Sequence, residues 1–304
     1  NLLAFYDDLP EGALLNHEAL FSVWKSQAMQ SLQYFYPKDK NILEQNRCVL
    51  GENLRLSIGF EETQLSLMTE RAAWNKLQCE EGNLLCTSRK LKVPIRVFRS
   101  RGCSRVATLL IHPLGMEAVY PPLVSKLLNN SQSIYVPDCF STGKNVGPQN
   151  PENPRGSTKF FSTFNRSDLA EKIGDIGRLL RFILDQEETE IINVVGYGKA
   201  GLWSLIAGAC ISPQNRVRFL LDMDRFDFTN PAAYINEFKI PGIFYAGGLD
   251  NAAALLASSE VLLHNIGDGD LIWTNAAYAL YPDVECHLED KRVSSLRMTE
   301  FLIK

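Results

Sequence analysis

The chain has 304 residues, 45% hydrophobic and 22% charged, with a formal net charge of −4 at pH 7. This is the composition of a soluble globular protein large enough for one domain, or one domain with an appendage. The acidic balance and the lack of a basic stripe exclude a nucleic-acid footprint. No apolar run reaches the roughly 18 residues of a membrane span, and the basic run Ser88–Lys92 reads as a solvated turn.

Seven cysteines (Cys48, Cys79, Cys86, Cys103, Cys139, Cys210 and Cys286) lie at irregular spacing. An odd count without a CxxC makes a poor disulfide framework, and Cys210 and Cys286 sit in apolar runs as small hydrophobes. The four histidines, His17, His112, His264 and His287, include no pair at ligand spacing. No zinc site and no cofactor are expected. The stretch after Asn1 carries no signal-peptide pattern, which leaves the compartment open.

In chain order, residues 1–95 read as an N-terminal extension of helix and β-hairpins. Leu20–Tyr36 has helical periodicity, and 54–58, 83–86 and 93–98 read as short strands. Residues 96–304 read as an α/β core. Buried strand-like runs occur at 106–111, 133–138, 191–195, 217–222, 243–246, 261–264 and 284–288. A helix is predicted over Asp168–Leu184, with Asp168 and Glu171 as its capping box. Residues 140–165, rich in Gly, Pro, Ser, Thr and Asn, read as a long loop. Apolar strands alternating with amphipathic helices predict a mainly parallel sheet covered on both faces.

The most informative stretch runs from Ile191 through Gly196-Tyr197-Gly198-Lys199-Ala200-Gly201: a buried strand, a glycine-rich turn and a helix. Two chemistries use that shape. Gly196, Gly198 and Gly201 match the dinucleotide fingerprint G-x-G-x-x-G, and Asp222, 21 residues beyond Gly201, stands where an acid would hold a ribose hydroxyl. Gly196, Gly198 and Ala200 also fill the marked positions of the nucleophile elbow G-x-S-x-G, with glycine in place of serine. Position in the chain favours the elbow. At least two strands of the same sheet precede it, and His112-Pro113-Leu114-Gly115 after a buried strand fits an oxyanion loop.

Further motifs run in a characteristic order: Ile134 to Gly143, Phe164-Asn165-Arg166 before the long helix, Ile240-Pro241-Gly242 leading to Gly247-Gly248-Leu249-Asp250, and Leu262 to Asp268. In these the chain resembles the acetyl xylan esterase and dienelactone-hydrolase-related branch of the α/β-hydrolases, over about residues 95–300. The resemblance implies an α/β-hydrolase fold, a carbohydrate or acyl-ester ligand, and export from the cell.

Acyl transfer on this fold needs a nucleophile, an acid and a histidine, in that chain order. At the first position Gly198 has no side chain. At the second, Asp268 is available, although Gly267–Asp270 also reads as an ordinary polar turn. At the third, only His287 occurs near the C-terminus, and it reads as a strand histidine; no histidine follows it. His112 could line the cleft or brace its own loop. The backbone N–H of Lys199, with that of Leu114 or Gly115, could survive as an oxyanion site, and the Lys199 side chain could hold an anion. The expectation is therefore a degenerate hydrolase acting as a binding or structural module, in a longer chain or a complex. An active esterase with a displaced nucleophile, for which Ser204, Cys139 and Ser141 are the candidates, and a dinucleotide-binding oxidoreductase are the competing readings.

Overall fold

The structure is a computed structural model that describes residues 17–61, 65–86, 91–100, 105–146, 165–186, 188–211, 216–230 and 245–304, together with 233–234, 237–238, 240 and 242–243. Cys103, the turn at Ser88–Lys90 and much of the long loop, 147–164, lie outside the described residues.

Helix α1 (His17–Tyr34) is followed by the short helices α2 (Lys40–Asn46) and α3 (Glu52–Ile58). Strands β1 (Leu65–Trp74) and β2 (Leu77–Cys86) then form a hairpin. Its two turn residues, Asn75 and Lys76, have φ of 47° and 67°, the handedness that matches the right-handed twist of the flanking strands. Strand β3 (Leu91–Phe98) adds antiparallel to β2.

From β4 (Val106–Ile111) the chain alternates: α4 (Pro121–Asn129), β5 (Gln132–Pro137), α5 (Asp168–Leu184), β6 (Ile191–Gly196), α6 (Lys199–Ile211) and β7 (Val217–Asp222). The helix α7 (Gly248–Leu255), β8 (Glu260–His264), α8 (Ile272–Ala279), β9 (Cys286–Glu289) and α9 (Ser295–Ile303) complete it. All nine strands join one sheet in the order β1-β2-β3-β5-β4-β6-β7-β8-β9. From β5 onward along that order every pairing is parallel.

Adjacent residues of the central strands feed opposite cores, as strand geometry requires. Leu109, Ile111, Val194 and Leu221 face the core shared with α5, α6 and α7, whereas Leu110, Val195 and Leu220 face the one shared with α4 and α9. Burial on both faces makes these segments continuous apolar runs in the sequence.

Three local expectations are corrected. Residues 54–58 are helical. Leu54 and Ile58, one turn apart, are buried, while Leu56 between them is 69% exposed. The apparent alternation was a helical i, i+4 pair, and the helix ends at Gly59, φ 65°. Residues 243 and 245–246 lie in turns flanked by Gly242, Gly247 and Gly248, all at positive φ. The helix α5 is capped by Ser167, whose hydroxyl accepts from the Ala170 amide at 3.2 Å, so Asp168 is the first helical residue.

Strands β1–β3 continue the sheet of the core, so much of residues 65–95 is edge of that sheet. Cys48, Cys79, Cys139, Cys210 and Cys286 are free thiols. Among the described residues no helix is long and apolar enough to cross a membrane, and no cluster of acidic, histidine or cysteine side chains could hold a metal.

Candidate active-site cleft

The β6–α6 junction turns sharply, and its glycines answer to different constraints. A Cβ on Gly196 would stand 2.6 Å from the Cα of Gly201, and one on Gly201 would stand 1.9 Å from the carbonyl oxygen of Asp222. Both glycines are therefore set by close backbone approach. Gly198 differs. Its φ is +49°, but the space around it is open: the nearest atoms to an added Cβ are Asp224 Oδ1 at 3.7 Å and Pro113 Cγ at 4.0 Å. The turn keeps the strained backbone of an elbow and has room for a side chain there, and carries none.

Parallel registers line up Ile111, Gly196, Leu221, Leu263 and Leu288 across the sheet. One residue further along these strands come His112, Tyr197, Asp222, His264 and Glu289, a polar rim at the carboxyl ends, where ligands of open α/β sheets bind. A cleft of about 400 Å³ opens above His112, Tyr197, Gly198, Asp222 and His264. Its other walls are mainly apolar, from Pro113, Tyr120, Leu123, Val293 and Met298, with Arg292 and Ser295 at the side of β9 and α9.

The cleft contains two histidines, His112 and His264. Burial lowers the pKa of His112. Its Nδ1 accepts the Leu114 amide at 3.1 Å, which places the ring proton on Nε2 and leaves that nitrogen a donor. His264 is 3% exposed, and neither ring nitrogen has a hydrogen-bond partner. Burial lowers its pKa, partly opposed by neighbouring Asp222.

Asp222 itself is engaged elsewhere. Its carboxylate accepts from Asn265 Nδ2 at 2.7 Å and from the Asp224 amide at 2.9 Å, and pairs with Arg292 at 3.0 Å. These partners also leave it poorly placed for a ribose hydroxyl, and Gly201 is packed against its backbone.

The remaining expected site residues are placed as follows. The amides of Leu114 and Gly115 are both turned back onto His112, the first to Nδ1 and the second to the carbonyl oxygen at 3.0 Å. This differs from the expectation that one of them points into the cleft, and the Leu114 side chain is 72% exposed. The Lys199 amide opens α6 and is among those a helix leaves without an internal acceptor, while its ammonium pairs with Glu237 at 2.6 Å. Asp268 is exposed in the loop after β8 and does not line the cleft; its carbonyl accepts from Phe228. His287 lies within β9, paired with Glu285 at 2.9 Å and packed edge-on against Phe301, and is not brought to Gly198.

The alternative nucleophiles Ser204, Cys139 and Ser141 have these surroundings. Ser204 is buried and donates to the Ala200 carbonyl. Cys139 is buried, and burial pushes its thiol pKa far up. Ser141 belongs to a turn whose amide bonds Asn145.

The loop carrying His112 is braced from behind. The Asp138 carboxylate accepts the Met116 amide at 2.6 Å and the Lys144 amide at 2.7 Å. Gly115 and Gly143 lack the Cβ atoms that would collide with it. Nearby, buried Arg96 pairs with Glu81 and Glu117 and lies over the Trp74 ring, 4.9 Å from its centroid.

His264 and Arg292 were not anticipated as cleft residues, and Asp222 was anticipated only as the acid of the dinucleotide fingerprint. His264 and Asp222 are each the last residue of an apolar strand run, a position that signals the carboxyl-end rim. Arg292 has no such signal, because the length of the β9–α9 loop decides where it lands.

No family model and no curated protein matches the chain. Solved structures do match. A Bacteroides fragilis protein assigned as an acetyl xylan esterase superposes with a TM-score of 0.62 at 13% identity, covering 97% of this chain and 91% of that one. Acetyl xylan esterase 1 from Thermoanaerobacterium sp. JW/SL YS485 gives 0.52 at 12% identity, covering 88% and 94%. A promiscuous CE15 esterase from a marine bacterial metagenome gives 0.54 at 10% identity, covering 83% and 89%. With the mostly parallel sheet and its flanking helices, these likenesses show that the chain has the α/β-hydrolase fold of those structures.

Proposed function

We propose that this chain is a degenerate α/β-hydrolase domain that binds a ligand in the cleft above Gly198 without the serine route of ester hydrolysis. The observation that carries this reading is the turn at Gly198, with an elbow's positive φ, open space and no side chain. No covalent acyl intermediate can form at that atom.

The histidines add support. An acyl-transfer base needs a nucleophile on one nitrogen and an orienting group on the other. His112 spends Nδ1 on the amide of its own loop, and His264 has neither partner. The ligand is a carbohydrate or an acyl ester by likeness of fold, and the domain acts within a longer chain or a complex.

The test is turnover of p-nitrophenyl acetate by the purified chain. The reading expects release at the buffer rate. A rate above buffer that is lost on substituting a cleft residue such as His264 or His112 would overturn it.

A further inference from the structure

Gly198 lines the cleft, and a Cβ added there would meet nothing closer than Asp224 Oδ1 at 3.7 Å and Pro113 Cγ at 4.0 Å. Its neighbours Gly196 and Gly201 are different, with backbone packed where their side chains would stand. The volume a serine side chain would fill at 198 is therefore open, and it is continuous with the cleft. A glycine at such a place lets a ligand approach the backbone closely.

One donor is fixed next to that turn. The His112 ring packs beside Tyr197, with centroids 5.6 Å apart, and lines the cleft half-buried. The Leu114 amide donates to its Nδ1 at 3.1 Å, so the ring proton sits on Nε2. Burial lowers the pKa of the ring, and at pH 7 His112 offers an N–H without a charge.

The surroundings select against ions and sugars. Arg292 is paired with Asp222 at 3.0 Å and Lys199 with Glu237 at 2.6 Å. An anion would enter without an unpaired cation to receive it, and the Asp224 carboxylate borders the open space. An ammonium has no lone pair for an N–H donor. A sugar would lay its hydroxyls against Pro113, Leu123, Val293 and Met298, which offer them no partner, and each unbonded hydroxyl carries a desolvation cost.

We infer that this cleft takes an uncharged, apolar ligand with one hydrogen-bond acceptor, which fills the space left open at Gly198 and accepts from His112 Nε2. The assignment rests on the non-hydrolytic binding reading and deepens it: the absent side chain is binding volume, and Gly198 sets which ligands fit.

The test compares cyclohexyl methyl ketone with cyclohexanecarboxylate, cyclohexylmethylammonium and methyl β-xyloside. Each is titrated into the full chain with ring-15N-labelled histidine, reading affinity by calorimetry and the His112 ring nitrogens by NMR. The ketone is expected to bind at least about tenfold more tightly than the other three, given the cost of desolvating an unpaired charge or hydroxyl, and to shift His112 Nε2. Gly198→Ala is expected to lose about tenfold in ketone affinity, as overpacking a filled contact does. A carboxylate, ammonium or xyloside that binds as tightly as the ketone overturns the assignment. So does a ketone that fails to bind, that binds without a His112 shift, or that binds Gly198→Ala as well as the wild type. Should Gly198→Ala fail to fold, the wild-type probe series and the His112 shift still decide. Ester turnover found together with ketone selectivity removes the non-hydrolytic reading and leaves the ligand assignment. Preference for an ion or the xyloside without turnover does the reverse.

Discussion

Gly198→Ser separates the shape of the elbow from its chemistry. A serine Cβ would meet only Asp224 Oδ1 at 3.7 Å and Pro113 Cγ at 4.0 Å, which are ordinary van der Waals contacts. The cost is then the backbone. An L-residue held near φ +49° pays roughly 1–2 kcal/mol relative to the right-handed region. Replacing glycine also restricts the unfolded chain, which returns about 0.4–1 kcal/mol. The net is a destabilisation of about 1 kcal/mol, or about 2–4 °C in Tm for a domain of this size class. Urea unfolding with an unchanged m-value and scanning calorimetry measure it. Hydrolysis of p-nitrophenyl acetate should stay at the buffer rate, because neither cleft histidine is oriented to take the serine proton. A loss of several kcal/mol would refute the open space at Gly198. A large gain in esterase rate would refute the account of the histidines.

Gly201→Ala should be far worse than Gly198→Ser, costing more than about 3 kcal/mol or abolishing folding, because its Cβ would lie 1.9 Å from the Asp222 carbonyl oxygen; expression and thermal melting compare the two. His264→Leu should stabilise the ligand-free chain by about 1–3 kcal/mol, the penalty of an unsatisfied buried polar group, as read by urea unfolding. The pH dependence follows from the depressed histidines. His112 and His264 titrate below 6.5 when folded, so the unfolded chain binds more protons and acid favours unfolding. Their contribution is fully present above pH 6.5 and is lost as the pH falls below it. Asp138, raised by burial above 3.8, works the other way at lower pH. Unfolding from pH 7.5 to 5 should therefore show falling stability in the wild type and a shallower fall in His264→Leu, and equal slopes would contradict this assignment.

Much of the fold was legible because strand burial on both faces leaves unbroken apolar runs. Val106–Ile111, Ile191–Val195 and Val217–Asp222 all form strands where expected. The helix at 168–184 was equally plain, since its apolar residues repeat on one face. Short elements were ambiguous. Leu54, Leu56 and Ile58 satisfy both a strand alternation and a helical turn, and only burial distinguishes them. The run at 243–246 is apolar enough for a strand, but Ile243, Tyr245 and Ala246 lie in turns beside the positive-φ glycines Gly242, Gly247 and Gly248. The turn at Gly198 was legible because tight backbone approach demands small residues at fixed spacing. Its surroundings were less so. Whether His112 offers a base, or whether the Leu114 amide faces the cleft, depends on one hydrogen bond within a turn. Arg292 reaches Asp222 across a long stretch of sequence, which no local pattern encodes.

The most direct test of the central claim is covalent titration with a fluorophosphonate, which marks any serine activated for acyl transfer, followed by intact-mass and peptide analysis of the wild-type chain and Gly198→Ser. The account predicts no adduct in either. A stoichiometric adduct on a cleft serine of the wild type, such as Ser295, would contradict it by revealing a displaced nucleophile. A rapid adduct on the serine introduced at 198 would show that a working base stands beside that turn.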